Sequence, residues 1–341
     1  MLNKTLHIST SPHLTKGLTT TQIMQNVVYA LLPAVGYAVY AFGLDAFLLI
    51  SSTTMAAVLT EHMLCKWSHK DSTVGDWSAV ITGLLLGMTL PPSFPLWMAF
   101  LGGVIAIALG KYVFGGLGNN SFNPALVGRA VLQAAFPVAI TTWSTSFIPH
   151  RFTEISSSVL ALPFMKPTYD AVSGATPLSA FKFDGVVADS LDLAMGMVSG
   201  SAGETNALLI LLGGIYLASR KMLNWRIPVA VIGTAYVFSA TLHLINPEVY
   251  PSGSFMVFSG GLMLGAVFMA TDMVASPLTS LGVVIYGILI GTLIVVIRIW
   301  GGLPEGVMYA ILLANAVSPH IDKFTQNKVY GTSAPKKRQL A

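Results

Sequence analysis

The chain has 341 residues, 54% of them hydrophobic and only 9% charged, with a mean hydropathy of +0.70. A soluble domain carries about 25% charged residues, so a cytosolic enzyme, a nucleic-acid binder and a disordered scaffold are all excluded. The formal net charge is +4, and the single cysteine, Cys65, excludes a disulfide framework and any all-cysteine iron–sulfur or zinc site within this chain. Any redox chemistry here needs an organic cofactor, and the composition predicts an all-α integral membrane protein.

A helix needs about 20 mostly apolar residues to cross a bilayer. Residues 1–25 are polar and lack the apolar stretch and small-residue cleavage site of a removable signal peptide. Clear spans follow at 26–44 and 46–65, a weaker one at 77–90, a clear one at 94–114 and a weaker one at 122–140. A polar segment, 141–205, comes next, rich in Ser, Thr, Pro and Gly. Clear spans then occupy 207–222 and 227–245, a weak one 255–270, a clear one 278–300 and a weak one 304–317, before a basic tail over 321–341. The weak spans are short or interrupted by Gly, Pro and polar residues. The reading is about ten transmembrane helices and one long loop.

Basic residues set the orientation. Lys4, Lys16, Lys66, Lys70, Arg220, Lys221 and the tail lysines share one side, whereas 141–205 holds only Arg151, Lys166 and Lys182. The positive-inside rule then makes both termini cytoplasmic. The long segment lies outside, which in the inner membrane of a bacterium means the periplasm.

The two halves resemble each other. Gly83-Leu84-Leu85-Leu86-Gly87 is answered by Gly261-Leu262-Met263-Leu264-Gly265, and Leu101-Gly102-Gly103-Val104-Ile105 by Leu281-Gly282-Val283-Val284-Ile285. Five spans per half is an odd number, so residues 26–140 and 206–320 are expected to be inverted repeats, with broken or short helices in matching positions.

Charges at bilayer depth point to function by default. Arg129 lies in the fifth span and Asp272 ends the eighth. Lys111 and Arg298 read as side chains snorkelling to the interface, and Glu61 and His62 as either interfacial or functional. His62 and His69 are seven apart and could share a helix face, but Lys66 and Trp67 between them read as interface, and no metal site or catalytic side-chain set is expected. The run from Gly115 to Pro124 opens the fifth span: its glycines permit close backbone approach, Pro124 suits the first helical position, and Asn120 and Asn123 can cap the helix.

Within the long segment lies Tyr169-Asp170-Ala171-Val172-Ser173-Gly174-Ala175-Thr176-Pro177-Leu178. On physical grounds it is a tight turn. Asp170 and Ser173 can cap local amides, Gly174 tolerates a positive φ, and Pro177 stiffens the exit. Small neighbours are expected to leave the Thr176 hydroxyl open to another protein's active site.

The Asp170-x-x-Ser173-Gly174-Ala175-Thr176 pattern resembles the flavinylation motif shared by the B subunit of the sodium-pumping NADH:quinone oxidoreductase and the D subunit of the Rnf complex. Residues 83–92 (GLLLGMTLPP), 110–132 (GKYVFGGLGNNSFNPALVGRAVL) and 269–272 (MATD) are similar to the same family, and the likeness runs from about 22 to 320. It implies FMN joined through a phosphodiester to Thr176, placed there from FAD by a separate flavin transferase. It also implies a second, non-covalent flavin, riboflavin-like, near Asn120, Asn123 and Asp272.

Length and the short N-terminal stretch bring the chain nearer to the Rnf D subunit. The resemblance thus implies a subunit of an ion-translocating oxidoreductase, with no complete activity of its own, coupling ferredoxin/NAD redox chemistry to ion movement. Its expected partners are iron–sulfur subunits, small membrane subunits, a second FMN-bearing subunit and membrane lipid, with no nucleic acid. The competing readings are the B-type subunit, which delivers electrons to quinone, and a non-redox solute channel built from inverted repeats.

Overall fold

A computed structural model of the chain describes residue 17 and residues 19–163, 174–203 and 206–326. Among them the chain is helical or irregular, with one isolated bridge residue at Ser144 and no strand.

The first helix, α1 (Thr20–Phe42), starts at a reciprocal cap in which the Thr19 hydroxyl accepts from the Gln22 amide and the Gln22 side chain accepts from the Thr19 amide. Gly43 ends it and α2 (Leu44–Trp67) begins at once. Only glycine suits this corner, because φ is +73° and an added Cβ would lie 1.9 Å from the Arg151 carbonyl oxygen. There follow α3 (Ser78–Thr89), α4 (Leu96–Ile107) with a π turn over Ala108–Tyr112, α5 (Pro124–Ala135) and α6 (Pro137–Thr141). The long connection contributes α7 (Pro177–Ser179), which continues into a π turn over Ala180–Asp184, and α8 (Ser190–Met195).

The second half runs through α9 (Ala207–Ser219), α10 (Arg226–Ile245), α11 (Gly253–Phe258) and α12 (Leu262–Leu264). A π turn over Gly265–Met269 follows, then α13 (Ser280–Trp300) and α14 (Val307–Thr325). Each expected span contains helix. Pro137 divides the fifth, the eighth is in two pieces broken at residues 259–261, and the tenth runs further than expected, through Pro319.

Among the described residues four helices, α1, α2, α10 and α13, are long and apolar enough to cross a membrane, and α3, α4 with its π turn, and α9 are shorter apolar helices. Their outward faces carry Leu32, Phe47, Met55, Leu212, Val237 and Leu281, all well exposed. A soluble protein buries such side chains, whereas a bilayer solvates them and leaves backbone polarity to be satisfied within helices.

Packing follows the same plan in each half. In the first, α2 packs on α3 and α4, and α4 on α5. In the second, α10 packs on α11 and α13, and α13 on α14, while α1 meets α9 across the middle. Small residues set the spacing, as expected where lipid supplies no hydrophobic drive between helices. An added Cβ on Gly83 would lie 2.4 Å from the Thr54 Cα, and one on Gly291 2.7 Å from the Val231 carbonyl oxygen. The Thr53 hydroxyl donates to the Gly83 carbonyl at 2.9 Å in the α2–α3 seam.

Candidate functional site

Three clusters of polar side chains interrupt this apolar framework. The first surrounds Thr176, whose hydroxyl oxygen caps α7 by accepting from the Ser179 amide at 3.2 Å and lies 2.7 Å from the Ser179 hydroxyl. Pro177 fills the first helical position, where its missing N–H costs nothing. Thr176 is buried, so its hydroxyl does not stand open as expected: it is spent on the cap. Gly174 answers a need for space. An added Cβ would lie 2.6 Å from the Ser199 Oγ and 3.0 Å from the Thr145 Cγ2. The Gly174 amide donates to the Trp143 carbonyl at 3.0 Å and the Ser199 hydroxyl to the Ala175 carbonyl at 3.3 Å, so segments 143–145 and 199 clamp the end of the motif. Asp170 and Ser173 lie outside the described residues.

Thr176 lines a cavity of about 600 Å³ together with Arg129, Gln133, Trp143, Phe183 and Glu305. Arg129, in the middle of α5, meets Glu305 at 3.4 Å. The other Glu305 oxygen accepts from the Gly261 amide at 2.8 Å and lies 3.6 Å from Arg298. Arg298 is not a snorkelling residue. It is buried and donates to the carbonyls of Met256 at 2.6 Å and Ser259 at 3.0 Å, where the broken helix leaves acceptors without an intrahelical donor. Beside the same cavity wall, Lys182 donates to the carbonyls of Arg298, Gly301 and Leu303, and desolvation pulls its ammonium below the ordinary lysine range.

The second cluster joins the two halves. Asn123 caps α5 by accepting from the Ala125 amide at 3.0 Å, and its amide group donates to the Met269 carbonyl at 3.2 Å. Asn120 does not cap the helix. It donates to the Phe122 carbonyl at 3.2 Å and to Asp272 at 3.1 Å. The three residues named from sequence thus come together, although Asn120 and Asp272 are 152 positions apart. They line a cavity of about 110 Å³ with Lys111, Thr82 and Phe268. The π turn ending at Met269 sets the carbonyl that Asn123 meets, and π turns recur at functional sites.

The third cluster was missed by sequence reasoning. Lys111 does not snorkel. It is buried and donates to Glu61 at 2.6 Å and to the Ser78 hydroxyl at 2.6 Å, while the Thr73 hydroxyl donates to the same Glu61 oxygen. The only available signal was the pair of opposite charges at bilayer depth, in spans that the turn geometry brings side by side. His62 is exposed and forms no cluster with His69, and no group of His, Cys, Asp and Glu among the described residues could hold a metal ion.

Apolar outer faces enclosing paired charges and a cavity beside a polar connection define a multi-pass membrane protein with an interior large enough for an organic group. Comparison with known proteins agrees. The chain belongs to the NQR2, RnfD, RnfE family, whose model matches residues 7–331. It is 42% identical to the D subunit of the proton-translocating ferredoxin:NAD(+) oxidoreductase complex of Clostridium ljungdahlii, over 95% of this chain and 96% of that one. It is also 42% identical to the D subunit of the Na(+)-translocating ferredoxin:NAD(+) oxidoreductase complex of Acetobacterium woodii, over 98% of both chains. The D subunit of the ion-translocating oxidoreductase complex of Alcanivorax borkumensis is 37% identical over 95% of this chain and 96% of its own.

Proposed function

We propose that the chain is the D subunit of an Rnf-type ion-translocating oxidoreductase. In this reading it carries FMN on Thr176 and relays electrons between partner subunits. The observation that carries it is the position of Thr176, last residue of the Asp170–Thr176 motif, on the wall of the 600 Å³ cavity. Sites for small organic groups span about 300–1,000 Å³, so a tethered ring system fits by volume. It fits by chemistry as well, since Trp143 and Phe183 offer aromatic contact and Arg129 and Gln133 offer donors. Attachment converts the Thr176 hydroxyl into a phosphodiester: its oxygen takes the FMN phosphorus of FAD, AMP leaves and the hydroxyl proton is lost. That requires the cap to Ser179 to open while the transferase is engaged.

FMN, when bound, supplies the electron-carrying chemistry that no side chain here can provide. The chain's part is to hold the group, shield it from water and set the charge around it. A second, non-covalent flavin at Asn120, Asn123 and Asp272 fits less well. The cavity there is about 110 Å³ and both amide groups are already bonded to protein. Such binding requires the pocket to widen, and no step is routed through it.

The architecture follows from the same reading. Two inverted five-helix repeats, residues 26–140 and 206–320, are supported by the matching packing of α2–α5 and α10–α14. The distribution of Lys and Arg supports cytoplasmic termini, residues 1–25 and 321–341, and a periplasmic loop over 141–205 in a bacterial inner membrane. Partners are the other Rnf-type subunits, among them iron–sulfur subunits, small membrane subunits and a second FMN-bearing subunit, with a flavin transferase for maturation. Two relatives equally similar to the chain, each 42% identical, are named for different ions.

The test is direct. The chain is co-expressed with a flavin transferase, purified, denatured and run on a gel under ultraviolet light. A fluorescent band, and a peptide around residue 176 heavier by one flavin nucleotide, are expected. Thr176→Ala abolishes both while membrane insertion is retained. A dark wild-type band and an unmodified peptide overturn the flavin reading in favour of a pore-like scaffold.

A further inference from the structure

Among the described residues, Arg129 is the one buried charge on the wall shared with Thr176 whose hydrogen-bonding capacity is left visibly unspent. It lies mid-helix in α5, among Ala, Leu, Val and Gly, and is buried. A guanidinium carries five N–H donors in a fixed fork. Here one terminal nitrogen reaches Glu305 at 3.4 Å, long for a charge-assisted bond, which runs at about 2.7–2.9 Å, and Nε has no hydrogen-bond partner although it is buried. A buried cation with idle donors is costly and is kept where something pairs with it. Glu305, in the other half of the chain from Arg129, is itself fixed by the Gly261 amide at 2.8 Å, so the guanidinium is tethered across the two halves at the cavity wall. Gln133, one turn further along α5, lines the same cavity and adds an amide donor.

We infer that Arg129 is the positioning residue for the ring tethered at Thr176: pinned by Glu305 on the wall of the same cavity, its guanidinium pairs with the ring and its charge favours the reduced ring over the oxidised one. The inference rests on the flavin reading above and goes beyond it, by naming the chain's own residue that sets the ring's potential. Its chemistry is specific. Two electrons from the complex's iron–sulfur carriers and one proton from solvent turn a neutral ring into one bearing a single negative charge, spread over its pyrimidine edge. A fixed cation bonded to that edge stabilises the charged product more than the neutral reactant. If Arg129 were only a strut between α5 and the Glu305 loop, the potential would not depend on it.

The experiment uses the full-length chain, flavinylated in the cell, in detergent micelles, comparing wild type, Arg129→Gln, Arg129→Lys and Glu305→Gln. In-gel fluorescence reports loading, thermal melting reports integrity, and spectroelectrochemistry of the ring's visible absorbance reports the potential. Losing a charge-assisted bond changes the reduction equilibrium about tenfold to a hundredfold, which for a two-electron couple is about 30–60 mV. Arg129→Gln is expected to lower the potential by that amount with loading intact, and Arg129→Lys to fall between it and wild type. Glu305→Gln is expected to shift it upward, because the cation loses its counter-charge.

Opposite signs for the two partners are an outcome that simple loosening of the fold does not give. Equal potentials in loaded wild type and Arg129→Gln overturn the inference and leave the flavin reading intact. No fluorescence in wild type overturns that reading and the inference with it. Should Arg129→Gln fail to fold, the Glu305→Gln potential decides, and an unchanged or lowered value counts against the role of Arg129.

Discussion

The ion pair between Lys111 and Glu61 offers the sharpest test of the packing. Both side chains are at least 95% buried, with Nζ and Oε1 2.6 Å apart. Lys111 also donates to Ser78, and Thr73 donates to Glu61, so each charge has a second bond. Lys111→Met leaves a carboxylate in an apolar seam between α2, α3 and the π turn after α4, and Glu61→Gln leaves an ammonium facing a neutral amide. Breaking a buried pair from one side costs about 3–5 kcal/mol, whereas replacing both charges with neutral groups of similar volume is often close to neutral. Each single variant is therefore expected to lose about 3–5 kcal/mol and the double variant less than either, so the coupling energy exceeds one single loss, at more than about 3 kcal/mol. Unfolding in mixed micelles by titrated dodecyl sulfate, followed by helix content and tryptophan fluorescence, closes the cycle. Singles that each cost under about 1 kcal/mol, the value for exposed pairs, would refute the buried geometry and restore the interfacial reading of Lys111.

The remaining expectations concern the two cavities. Asn123→Ala removes a helix cap worth about 1 kcal/mol and strands the Met269 carbonyl, which adds about 1–3 kcal/mol. Asn123→Ser keeps the cap and should lose only the second part, and thermal melting in detergent separates the two. If the Asn120–Asp272 pocket also takes a free flavin, acid extraction recovers less of it from Asn123→Ala than from wild type, and equal recovery denies that role. Gly174→Ala drives a methyl to 2.6 Å from the Ser199 Oγ and displaces the clamp on the motif. Overpacking of this kind costs about 1–3 kcal/mol. Fluorescence per unit of stained protein should fall, and full loading would show that the close approach is dispensable.

Much of the helical framework was legible because apolar runs have one stable solution in lipid. Even the breaks were readable, since Gly and Pro at 137 and 260–265 interrupt periodicity in the sequence itself. Asn123 as a cap followed from its place before Pro124, a local rule with a local cause. What escaped were the partners of buried charge. Lys111 and Glu61 are 50 residues apart, and Arg129 and Glu305 are 176 apart. Nothing in either neighbourhood marks the other, so a lone cation near a span end reads as snorkelling until packing shows the carboxylate behind it. Gly174 shows the converse limit. Its identity was readable, but the crowding that leaves no room for a side chain comes from Ser199 and Thr145, which only the fold brings there.

The helix α5 is shared property. Asn123 at its start borders the smaller cavity, while Arg129 and Gln133 border the larger one. Six residues separate Asn123 from Arg129, a rise of about 9 Å at 1.5 Å per residue. Were both chambers filled by conjugated rings, a single stiff rod two turns long would gauge the gap between them. Any change that tilts that rod moves a wall of each chamber at once.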